Sequence, residues 1–149
     1  MARGKYSYSM SAQTVSTAIT ILEITAPSTN ALIIHRAWIF AATTTAGVVE
    51  VQLLRKSAAC TGTASPPTPA PLDASAASGA TVRWKATAEG TAGNILYDSG
   101  MRLDGGEWVY LPVPEERIIV PPSGIIALKF ATAPASTNFS AGIIYEELG

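Results

Sequence analysis

One histidine, one cysteine and eleven acidic side chains hold the reactive chemistry of this 149-residue chain, and their spacing limits what they could do. His35 is the sole imidazole, so a Ser-His-Asp triad would have to use it as its base. It stands within the apolar run Ile33-Ile34-His35-Arg36, which predicts a satisfied structural imidazole in a strand, and no G-x-S-x-G turn marks a nucleophile. One histidine and one cysteine do not build a typical zinc centre, and the acids lack the D-x-D-x-D-G spacing of a calcium loop. Asp98, Asp104 and Glu107 are close in sequence, but Asp104-Gly105-Gly106 is sufficiently explained as a tight turn. Glu115-Glu116 and Glu146-Glu147 read as solvated strand ends, so paired carboxylates for glycoside hydrolysis are not expected. Cys60 has no disulfide partner and lies at a strand end, where an inert thiol is expected. The sequence therefore predicts no enzyme, no metal and no cofactor.

Trp38, Trp84 and Trp108 could line a sugar-binding face, but each stands in an apolar strand context. Packing in a core or an interface is the expectation, and with Phe40 these residues are the candidates for an oligomer interface. Composition agrees with association. Only 14% of residues are charged, well under the usual quarter, and 48% are apolar, so the surface must be Ala, Thr, Ser and Gly or be covered by partner chains. Ten basic and eleven acidic residues, for a formal net charge of −1, give no electrostatic footprint for nucleic acid and no attraction to a membrane surface. No run approaches the roughly 20 apolar residues of a membrane span, and the first ten residues have no apolar core of signal-peptide length. Asn138-Phe139-Ser140 matches the glycosylation sequon, but nothing else in the chain indicates secretion.

The elements that would position these side chains are strands. β-Branched and aromatic runs, punctuated by Gly, Pro, Asn and Ser, recur from end to end without helical periodicity. Strands are predicted over 15–25, over 31–44 with apolar residues on both faces as in a central strand, and over 48–56, where Val49, Val51 and Leu53 oppose Glu50, Gln52 and Leu54. Further strands are predicted over 81–87, over 94–103 with Ile95, Tyr97 and Met101 as buried candidates, and over 107–113, 117–120, 125–132 and 138–148. So many strands with connections of unequal length predict an all-β, two-sheet antiparallel sandwich of jelly-roll type; an immunoglobulin-like sandwich is the alternative, without its usual cysteine pair.

Two segments stand outside this pattern. Residues 1–10 precede any clear core and combine Arg3 and Lys5 with Tyr6 and Tyr8, which predicts an extended arm that orders on a partner. The single sandwich domain then spans 11–149, with a nearly uncharged Pro/Thr/Ala-rich loop at 58–79. Pro66, Pro67, Pro69 and Pro71 favour extended backbone that gives up little entropy on docking, so this is read as a contact loop.

The segment Val51-Gln52-Leu53-Leu54-Arg55-Lys56-Ser57, followed by Thr61-Gly62-Thr63, Pro69-Ala70-Pro71-Leu72-Asp73 and Ala80-Thr81-Val82-Arg83, resembles small virion proteins of tailed bacteriophages, and the turn Arg117-Ile118-Ile119-Val120-Pro121-Pro122-Ser123-Gly124 is similar too. The resemblance implies a jelly-roll capsid decoration, or cement, protein: a homo-oligomer, a trimer by analogy, that is made in the bacterial cytoplasm and binds the major capsid protein on the outer shell. The alternative it implies is a tail or head-fibre module that binds host glycans.

Overall fold

The computed structural model describes residues 2–73 and 76–149, and of Ala2 and Arg3 the backbone alone. Alternating apolar residues broken by Gly, Pro and Asn give β1 (Ala2–Val15), β2 (Thr20–Thr25), β3 (Ala31–Ala41), β4 (Val48–Ala58), β5 (Ala70–Pro71), β6 (Thr81–Trp84), β7 (Thr91–Arg102), β8 (Glu107–Tyr110), β9 (Ile118–Val120), β10 (Ile125–Phe130) and β11 (Thr137–Leu148). Among the described residues the sole helical piece is a 3-10 turn at Pro114–Glu116, which carries the exposed Glu115 and Glu116.

The strands form two antiparallel sheets in the orders β5-β1-β11-β3-β8, with β9 also on β3, and β6-β2-β10-β4-β7. The strands pair β1 with β11, β2 with β10, β3 with β8 and β4 with β7, so the chain is a doubled ribbon wound around one core. That is jelly-roll winding, and it decides between the two sandwich types. The core lies between the sheets and is filled by large side chains: Tyr6, Tyr8, Met10, Ile21, Ile39 and Tyr145 are all fully buried, and Phe130 meets Phe139 with ring centroids 4.5 Å apart. Aromatic pairs of this kind add stability beyond the area they bury.

Several expectations are corrected. Residues 2–10 are extended, but they form no separate arm: β1 lies between β5 and β11, paired from Ala2↔Leu148 onward. Tyr6 and Tyr8 are 1% and 0% exposed, because period-two alternation turns Tyr6, Tyr8 and Met10 inward. The predicted strand 15–25 is two elements, with Val15 closing β1 and β2 opening at Thr20. In β4 the alternation holds: Val49, Val51 and Leu53 enter the core while Glu50, Gln52 and Leu54 face the other way, although Leu54 is buried there, on the face that also carries Lys56. In β7, Met101 is buried, whereas Ile95 and Tyr97 are 50% and 40% exposed. β3 is central in its sheet, as its two-sided apolarity predicts.

The loop after β4 closes one flank of the sandwich. It runs beside β6, where the Thr63 amide donates to Trp84 O (2.8 Å), and then crosses to the other sheet, where β5 pairs with β1. Its two ends are tied to buried carboxylates. At the first, both oxygens of Glu23 accept the Cys60 amide at 3.1 Å, while Lys56 Nζ lies 3.0 Å from the same carboxylate and Arg83 3.4 Å. At the second, Glu147 Oε1 accepts from Ser78 Oγ (2.5 Å) and from the amides of Gly79 (2.8 Å) and Ala80 (3.1 Å). Glu147 is fully buried, which corrects the expectation of a solvated strand end; its neighbour Glu146 faces out and pairs with His35. The correction has a simple cause: a docked loop supplies amides in place of water, and a carboxylate accepts them strongly.

Candidate interaction surface

The outer face of the sheet built on β1, β11 and β3 carries an apolar band. β3 turns Leu32, Ile34, Ala37, Ile39 and Ala41 into the core, so Ile33, Trp38 and Phe40 point away from it. Register places Trp38 opposite Val109 of β8, and Ile33 opposite Ile119 of β9. Phe40, Val109 and Ile119 are 42%, 40% and 58% exposed. On its other side Trp38 faces Gly142 of β11, and the indole lies over that bare backbone: a Cβ at Gly142 would come within 2.1 Å of Trp38 Cζ2. The Arg36 guanidinium sits 5.2 Å from the centroid of the same ring, a cation–π geometry that fixes the indole against the sheet. His35 Nε2 lies 2.9 Å from Glu146 Oε2 on the same face. Isolated exposed apolar residues need no explanation; here Trp38, Phe40 and Val109 form one group and Ile33 and Ile119 another, with His35 and Arg36 between them on β3.

The second open region is the flank opposite the closed one, between β7 and β8. Tyr97 and Tyr110 meet there with ring centroids 4.9 Å apart, over a cleft of about 260 Å³ lined also by Trp108, Leu111, Pro112 and Glu116. Tyr110 is tied down through its hydroxyl, which donates to Glu116 O and accepts the Ile118 amide. Just beyond, Leu111 and Val113 are 71% and 56% exposed in a stretch that belongs to neither sheet.

The structure divides the sequence-derived candidates. Trp38 and Phe40 lie on the outer face, Trp84 is half-buried against the core, and Trp108 is buried at 6% exposure. Lys5 is exposed beside Asp73, whose carboxylate accepts the Lys5 amide, while the side chain of Arg3 lies outside the described residues. Tyr6 and Tyr8 are core residues and so offer no contact to a partner. Of the loop prolines, Pro66 and Pro71 are exposed and Pro67 and Pro69 half-exposed, with Pro71 held opposite Tyr6 in the short β5 pairing. Sequence reasoning missed Val109, Ile119, Leu111 and Val113. The signal for the last two was present, since apolar residues alternate with Pro112 and Pro114 where no strand can continue.

The buried polar groups are structural in their contacts. Burial, then the charge of Glu23, pushes the Cys60 thiol up to about 11, so it is a protonated thiol at neutral pH. Burial acts to lower the Lys56 pKa, but the hydrogen bond and charge of Glu23, then those of Glu89, outweigh it and hold the ammonium above its ordinary value. Glu89 is held below the usual carboxylate range: burial opposes this, but the Thr20 amide and hydroxyl and the Lys56 ammonium prevail. Among the described residues, no three His, Cys, Asp or Glu side chains converge as metal ligands, and no helix is long and apolar enough to cross a membrane. Compared with protein-family models, with curated proteins and with solved structures, the chain finds no match.

Proposed function

We propose that this chain is a structural protein of a phage virion that acts by association alone, decorating the outer capsid surface and reinforcing the shell through repeated weak contacts. The observation that supports this reading is the band Ile33, Trp38, Phe40, Val109 and Ile119 on the outer sheet face: an apolar docking surface on a rigid scaffold, in a chain with few charges elsewhere. The phage assignment and the major capsid protein as partner rest on the sequence resemblance. Many copies on one lattice convert modest single contacts into firm retention, because each further contact forms at high effective concentration. Capsid shells, stripped of this protein and mixed with wild type or with Phe40→Asp, supply the test. Co-sedimentation of the wild type near a simple ratio to the shell subunit, with loss for the variant, is expected; equal binding by both would reject this face as the contact.

A second reading, a glycan-binding module of the tail or head fibre, is favoured by one feature: the Trp38 indole seated on Gly142 with the Arg36 guanidinium over the ring, an aromatic surface and a hydrogen-bond donor held together on the outer face. Saturable glycan binding abolished by Trp38→Ala, together with no binding of the wild type to stripped shells, would select it over the decoration role.

A further inference from the structure

We propose that two copies of this chain join through β7, antiparallel across a twofold axis at Gly100, fusing their second sheets into one. β7 is the outermost strand of its sheet and, among the described residues, pairs only with β4. The other outer strands are short: β5 has two residues, β9 three, and β6 and β8 four each, against twelve in β7. Long open edges invite pairing with another chain, and natural proteins block them with Pro, Lys or inward-turning charge. β7 has neither Pro nor Lys, and all its residues but Leu96 and Met101 are exposed.

The hydrogen-bond pattern sets which residues are available. The Glu50 carbonyl accepts the Ala131 amide and the Glu50 amide donates to Thr132 Oγ1, so Glu50 spends its backbone on the side away from β7. Gly100, its register partner, therefore points its N–H and C=O out to the open edge. The Leu103 amide donates to Gly47 O, which turns the odd-numbered residues of this stretch inward. Asp98, Gly100 and Arg102 thus present free backbone groups, and pairing from Val48↔Arg102 to Leu53↔Tyr97 runs without interruption, so this half of the strand is regular.

Side-chain charge then selects one register. Centred on Gly100, antiparallel pairing sets Asp98, which accepts from Gln52, directly opposite Arg102 of the second copy, twice by symmetry, with no side chain at the axis. The Arg102 guanidinium already holds its own Asp104 and would then bridge two carboxylates. Centred on Asp98 or on Arg102, it would oppose like charges. Centred one residue beyond Gly100, it would bring Asp98 against Asp104. Opposite charges on directly facing positions stabilise a sheet and like charges destabilise it. The twofold contact makes a dimer, not the trimer that the resemblance implies, and it leaves the outer face of the first sheet free. It does not rest on the decoration reading and is tested without shells.

The experiment pairs sedimentation over a dilution series with amide hydrogen exchange. A concentration-dependent dimer is expected, with the Asp98, Gly100 and Arg102 amides becoming protected as it forms. Asp98→Lys or Arg102→Glu alone should weaken the dimer about tenfold, since symmetry repeats each like-charge pair, and the double variant should recover it. A monomer throughout, a dimer that leaves these three amides unprotected, or a dimer indifferent to both single variants would overturn the proposal.

Discussion

The two flanks of the sandwich are built on opposite plans. On one, the loop after β4 lies across both sheets and is tied at each end to a buried carboxylate, Glu23 at Cys60 and Glu147 at Ser78 to Ala80. On the other, β7 and β8 stand open over a cleft lined by Tyr97, Trp108 and Tyr110. The difference separates two uses of uncharged sequence. The Pro-rich tract, which carries almost no charge, serves as a cover because buried carboxylates accept its amides and the Ser78 hydroxyl; apart from Leu72, the large exposed apolar residues lie outside it. A chain with few charges commits several of them to the closed flank.

The comparison breaks most severely at Lys56. Its ammonium contacts Glu23, Glu89 and Thr20, so Lys56→Met leaves Glu23 buried with only the Cys60 amide and the more distant Arg83. Removing one partner from a buried pair costs about 3–5 kcal/mol. At about 2–4 °C per kcal/mol for a domain near this size, a melting point lower by roughly 10 °C is expected by calorimetry. A loss under about 1 kcal/mol would mean that water replaces the ammonium and the flank is not closed there.

Glu147→Ala strikes the other end of the same loop. It strips three donors of their acceptor, for a loss of about 1–3 kcal/mol. The sharper readout is proteolysis: cleavage should rise in the tract 64–80 and stay unchanged in β7. Tyr97→Ala, on the open flank, should leave cleavage of that tract as in the wild type. Equal sensitivity of the loop to both substitutions would erase the distinction between the flanks.

The fold was largely legible because it rests on period-two patterning: β3, β4, β10 and β11 have continuous alternating or doubly apolar runs, and the layers follow from them. The first ten residues were misjudged for a physical reason. Tyr6 and Tyr8 alternate with serines, and tyrosine suits a core and a contact surface equally, so their burial depends on β11, more than 120 positions away in the chain. Glu147 was opaque in the same way, because a buried acid is recognised only by the amides that a distant loop brings to it. Of the outer face, Trp38 and Phe40 were legible as candidates for an oligomer interface, although Trp38 suited a core equally. Val109 and Ile119 were not, because short strands do not show which face is covered.

Acid should act on the closed flank in a set direction. Glu89 has a folded pKa below its unfolded one, so its contribution is complete above the ordinary carboxylate range and is lost as pH falls through the depressed value. Wild type should therefore be more stable than Glu89→Gln at neutral pH, with the two converging as denaturation is followed down from about pH 5. A gap that stays constant with pH would show that shape, not charge, carries the role of Glu89.

The smallest expected effect on stability falls on the outer face. Val109 is 40% exposed and stands opposite Trp38 in the strand pair, so Val109→Thr keeps the branched shape that suits a strand and removes little buried area. Surface changes of this kind lie within about 0.5 kcal/mol, and the melting point should scarcely move. Shell binding should nevertheless fall, because a hydroxyl placed in an apolar contact loses its water without gaining a partner, and the lattice multiplies that loss over every copy. Stability and binding then separate at one residue. Such a separation is what distinguishes a docking face from a poorly covered core: if Val109→Thr lowers both together, the band belongs to the fold and the site of association lies at the open flank instead.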